Sequence, residues 1–171
     1  MIPRLAKSEP ASGLTIDDLH ERMVAFGENC FSLKGAAPFI WAIWDGNYLL
    51  WVETPWEDED EKYLSVAFIK RLMGVADAKM YSFMHEAWAK TVSAGEMRGN
   101  RQVKDMPGRE DVLMIHTHSI DGGFLGTRFK VTIRESGPNF LGVRDDESLK
   151  GMKNAEGTMF NLFRQMGVET A

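Results

Sequence analysis

Two apolar runs, Phe39-Ile40-Trp41-Ala42-Ile43-Trp44 and Tyr48-Leu49-Leu50-Trp51-Val52, flank Asp45-Gly46-Asn47, and no other feature constrains the fold as much. Asp-Gly and Gly-Asn supply the positive φ that tight turns require, so the segment predicts a β-hairpin. Neither run alternates apolar with polar residues. Both faces of the ribbon therefore need cover, from a second layer or from a partner. The three indoles Trp41, Trp44 and Trp51 read first as core. Their second reading is a ligand-cavity or homodimer lining, because large rings dominate binding hot spots.

A second hairpin is expected from Val112–Ser119 and Phe124–Arg134 around Asp121-Gly122-Gly123, with a short strand over Phe140–Val143. Residues 79–88 read as a strand with Met80, Ser82, Met84, Glu86 and Trp88 on one face and Tyr81, Phe83, His85 and Ala87 on the other. Thr15 and Asp18 form a helix start, followed by the stripe Ile16, Leu19, Met23, Phe26 and Cys30, with Gly27 weakening the last turn. A second helix opens on the acidic run Glu57–Glu61. Its Leu64, Phe68, Leu72 and Val75, with Ile69, Met73 and Ala76 beside them, are the expected cover for the Trp-rich hairpin. A closing helix is expected over 158–166. The fold class is α+β: a mainly antiparallel sheet built from two hairpins, with helices packed on one face. Residues 1–13, rich in Pro, Ser and Gly, are expected to be a flexible N-terminal arm before a single domain over 14–171.

A chain of 171 residues buries roughly 70% of its unfolded surface, so neither disulfide nor metal is needed for stability. The lone Cys30 suits a reducing compartment and reads as an inert thiol. With no signal-like N-terminus and no membrane-length apolar run, the expected location is the cytoplasm. The net charge of -5 argues against nucleic acid as a partner. Positive charge clusters only in the long stretch 90–109, where Arg98, Arg101, Lys104 and Arg109 are candidate anion or partner contacts, set against a solvated loop.

His116-Thr117-His118 is the main candidate for chemistry. Two histidines at i, i+2 on a strand share a face and can reach one metal ion, with Glu86 on the preceding strand as third ligand or general base. The bland reading is two packed or hydrogen-bonded strand histidines. The pattern has a superficial likeness to the JAMM metallo-isopeptidases, whose upstream Glu and His-x-His precede a Pro and then a Ser and an Asp. Here Ser119 stands in place of the Pro, and no Ser–Asp pair follows at that spacing. There is no nucleophile elbow, Walker-type loop or dinucleotide-binding glycine pattern.

Phe83-Met84-His85-Glu86-Ala87-Trp88, followed by Pro107-Gly108-Arg109-Glu110-Asp111-Val112-Leu113, resembles a small family of uncharacterised bacterial and phage proteins. The resemblance covers residues 38–135 and implies no activity, cofactor or catalytic residue. From the residues themselves, the expected function is a non-catalytic regulatory or interaction domain, acting through a protein partner or self-association, with no cofactor. The alternatives are a metal-dependent hydrolase using the His-x-His strand, and a small-molecule-binding domain with its pocket between the sheet and the 64–76 helix face.

Overall fold

A computed structural model describes residues 2–90, 107–154 and 159–168. In chain order the elements are β1 (Arg4–Pro10), α1 (Ile16–Lys34), β2 (Ile40–Trp44), β3 (Tyr48–Glu53), α2 (Glu59–Val75) and β4 (Met80–Ala89). They continue with β5 (Glu110–Ser119), β6 (Phe124–Thr132), β7 (Phe140–Asp145), a 3-10 turn (Lys150–Asn154) and the short α3 (Leu162–Gln165). The strands form one sheet in the order β1-β3-β2-β4-β5-β6-β7, and every neighbouring pair is antiparallel. The α+β class and both hairpins therefore stand as read from the sequence.

The placing of helices on one face needs correction. Along β2, Ile40 and Ala42 point to a core built with Leu19, Met23 and Val24 of α1, while Trp41 and Ile43 point to the opposite core built with Val66, Ile69 and Met73 of α2. Successive strand residues face opposite sides, so a ribbon apolar at every position demands two covers, and both come from this chain. Trp41 is fully buried, stacks on Phe83 at 3.9 Å and donates from Nε1 to Thr54 Oγ1 at 2.8 Å. Trp44 Nε1 donates to the Ala11 carbonyl at 2.8 Å, and Trp51 Nε1 donates to Glu9 Oε1 at 3.1 Å. The three indoles thus serve the interior of the fold and do not line an open interface.

The expected flexible arm is also corrected, because residues 4–10 are the edge strand β1. They pair with β3 from Arg4↔Glu53 to Pro10↔Tyr48, and Arg4 ion-pairs with Glu53 at 2.6 Å. Pairing satisfies backbone groups that β3 would otherwise leave open, and Arg4, Lys7 and Glu9 mark the strand as a charged edge.

In α1 the expected start is realised as a capping box, with Asp18 N donating to Thr15 Oγ1 and Thr15 N to Asp18 Oδ2. Gly27 is not a weak last turn. It sits mid-helix against the sheet, where a β-carbon would lie 2.8 Å from Met84 Sδ and 3.1 Å from Leu113 Cδ2, so the missing side chain lets the helix approach. The rotation of α2 differs from the expected one. Ser65, Val66, Ile69 and Met73 face the sheet, leaving Leu64, Phe68 and Val75 exposed. No described helix is long and apolar enough to cross a membrane.

Candidate functional site

The register of β4 against β5 decides what the histidines can do. Tyr81 stands opposite His118, Phe83 opposite His116, and His85 opposite Met114, so all three imidazoles share the sheet face that α2 and α3 cover. Each ring stacks on one aromatic neighbour: His118 on Tyr81 at 4.8 Å, His85 on Phe83 at 4.9 Å, and His116 on Phe160 at 4.3 Å. His116 Nδ1 lies 3.1 Å from His118 Nε2. His118 also bonds the Asn161 side chain, whose Nδ2 already donates to the Lys153 carbonyl. In the contact between the two rings one imidazole donates and the other accepts, the tautomer deciding which. His116 Nε2 and His85 Nε2 are buried with no hydrogen-bond partner among the described residues.

Burial makes the protonated forms costly. Desolvation pushes His85 and His118 down from 6.5 to about 4 and holds His116 well below its ordinary value, with His118 adding to the effect on His116. The structure thus brings His116 and His118 together but does not bring Glu86 to them. Glu86 pairs with Leu113 on the other face, is exposed, and accepts from Ala37 N at 3.0 Å. A one-residue step along a strand reverses the face, and this parity excludes Glu86 as the third ligand. Among the described residues no group of three or more His, Cys, Asp or Glu side chains is placed to hold a metal ion.

The fourth histidine, His20 of α1, lies under the other face between two hydroxyls, with Nδ1 2.7 Å from Thr117 Oγ1 and Nε2 2.7 Å from Thr127 Oγ1. Thr127 donates to Asp146, so it accepts from His20 Nε2, and Nδ1 in turn accepts from Thr117. Ser82 completes the row at 2.8 Å from Thr117 Oγ1. This row is a satisfied polar seam in the core. Burial lowers the imidazole's affinity for a proton, in keeping with a neutral ring. Asp146 also binds Arg144, which reaches Glu21 at 2.5 Å, so these three charges on the rim of the nearby cavity of about 360 Å³ pair with one another.

A different place gathers carboxylates and open aromatic surface. β2 ends at Ile40, opposite Met84, while β4 continues to Ala89. Residues 85–89 therefore have β5 on one side and no described strand on the other. Beside this edge lies a groove of about 830 Å³ whose described walls carry Glu57, Asp58, Glu59, Glu86 and Asp111, with Arg109 at the rim as the described cation beside it. Three rings line it as well. Phe39 and Trp56 stack at 4.2 Å, and Trp88 is 48% exposed. The Arg109 guanidinium rests 5.0 Å from the centre of the Trp88 ring, so this indole already receives a cation.

Of the basic candidates, Arg98 and Arg101 lie outside the described residues, as does Lys104, and Arg109 is the one placed at the groove. The expected pocket under the 64–76 helix is filled by Val66, Ile69 and Met73 packed on Trp41, Tyr81 and Phe83. Cys30 is half-buried, and desolvation raises its thiol pKa, which disfavours the thiolate. Sequence reasoning missed the groove because its walls come from segments 39, 56–59, 86–88 and 111–112. The available signal was the pair of short segments behind the family resemblance, which meet there with Ala87 opposite Val112 and Trp88 opposite Asp111. Neither a protein-family model, nor a curated protein, nor a solved structure matches the chain.

Proposed function

We propose that this chain is a non-catalytic interaction domain whose groove along β4 receives an extended, cationic segment of a protein partner. The observation that carries the reading is the meeting of five carboxylates and three aromatic rings beside an edge of β4 that no described strand covers. An incoming extended segment finds backbone partners on β4, and its arginine or lysine side chains find carboxylates and ring faces on either side. Concentrated negative charge steers such a segment to the groove and selects against acidic ones. The histidines support the reading from the other direction, being neutral and sealed away from any substrate.

A peptide of nine residues alternating Arg and Thr is the simplest probe, read through tryptophan fluorescence at low ionic strength. Saturable binding is expected, weakening as salt shortens the screening length from about 10 Å at 0.1 M to about 3 Å at 1 M. Glu57→Gln combined with Asp111→Asn is expected to reduce affinity about tenfold, equivalent to about 1.4 kcal/mol. Equal binding of a Glu-Thr peptide, or no loss in the double variant, contradicts the proposal.

A further inference from the structure

The outer face of α2 carries an apolar seam that the fold itself leaves uncovered. Leu64 is 72%, Phe68 43% and Val75 81% exposed, and with Arg71 they recur at i, i+4, i+7 and i+11. That spacing keeps one narrow line of side chains along the helix, the pattern by which two helices meet. It lies opposite the stripe formed by Val66, Ile69 and Met73, so the helix is apolar on both sides, while its packing on the sheet and α3 covers only the inner one. Contiguous exposed apolar surface of this kind marks an interaction site.

We infer that the occupant of this face is a second copy of the chain, the two α2 helices running antiparallel about a two-fold axis. Charge complementarity selects it. The first turn holds Glu59, Asp60 and Glu61, whereas Lys70 and Arg71 lie in the C-terminal half. Arg71 has no ion-pair partner among the described residues. Eleven positions separate Asp60 from Arg71, about 16 Å along a helix. An axis at the level of Ser65 and Val66 places each Arg71 level with Asp60 of the other copy, and the Leu64–Phe68 segments on each other. A two-fold contact repeats both pairings, so one self-complementary patch suffices. A parallel arrangement would set acid against acid and base against base. The acidic end of this surface adjoins the groove beside β4 at Glu59, but the pairing rests on Asp60, Phe68 and Arg71, which do not line that groove, and the inference does not depend on the partner proposed there.

Sedimentation equilibrium of the full chain tests it. The wild type is expected to approach twice the 19.3 kDa chain mass with rising concentration. Phe68→Asp is expected to hold the mass at that of one chain. Arg71→Glu is expected to weaken association at least tenfold, and the exchange Asp60→Arg with Arg71→Glu to restore it. All these side chains lie on the outer face, and a far-ultraviolet dichroism spectrum matching the wild type confirms that each variant folds. A wild type that stays at one chain mass up to about 1 mM, where even a weak dimer would show, overturns the inference and assigns the seam to another partner. Dimerisation that survives Phe68→Asp, or an exchange variant that fails to re-associate, overturns it equally.

Discussion

Acidification is expected to remove several kcal/mol of folding stability through His85 and His118 together, at roughly 1.4 kcal/mol for each unit by which a pKa is lowered. The folded chain holds both at about 4, against 6.5 when unfolded. Between those values the unfolded chain takes up protons that the folded chain refuses. Stability is therefore full above about pH 6.5, falls as the pH drops, and levels off below about 4. His116, held well below its ordinary value, steepens the fall in the same direction. A natural domain has only about 5–15 kcal/mol to lose, so the two rings account for a large share of it as the pH falls towards 4. Urea titrations at pH 7, 6, 5 and 4.5 measure the effect. His85→Phe should flatten the dependence, since it keeps the stack on Phe83 and removes one proton acceptor. A stability unchanged between pH 7 and 5 would mean that the imidazoles are solvated or paired with an acid.

Trp41→Ala is expected to cost about 3–5 kcal/mol, the usual toll for emptying a large aromatic site. Trp41 is fully buried, it stacks on Phe83 at 3.9 Å, and Tyr81 tilts against it at 5.9 Å. Truncation also leaves Thr54 Oγ1 without the indole donor that satisfies it. The same change at Trp88, 48% exposed at the rim of the groove, is expected to lower the urea midpoint far less. Denaturation curves of the two variants measure this contrast. Equal losses would contradict the assignment of Trp41 to the core and Trp88 to the surface.

The central ribbon was legible because its signal is local. A tight turn joins two runs apolar at every position, and that composition alone implies cover on both sides. The capping box at Thr15 and Asp18 was legible for the same reason. The rotation of α2 was not, because Leu64-Phe68-Leu72-Val75 and Val66-Ile69-Met73 are both apolar stripes. Periodicity cannot choose between two such faces when the partner surface is unknown. Residues 4–10 escaped notice because an edge strand exposed over most of its length needs no apolar alternation; its order comes from the backbone of β3. The pairing of His116 with Phe83 was equally hidden. β4 and β5 are separated by a long stretch in place of a short tight turn that would set the register, and register parity decides whether Glu86 or His85 shares the histidines' face.

The groove has the least local signature of all, since it exists only because β2 stops at Ile40 while β4 runs on. Its role is tested most directly by following the five indole N–H resonances during titration with the Arg-Thr peptide. Trp56 and Trp88 are expected to shift, whereas Trp41, Trp44 and Trp51, whose N–H groups are bonded inside the fold, hold still. Shifts confined to the interior indoles, or none at saturating peptide, would contradict a partner-binding groove beside β4.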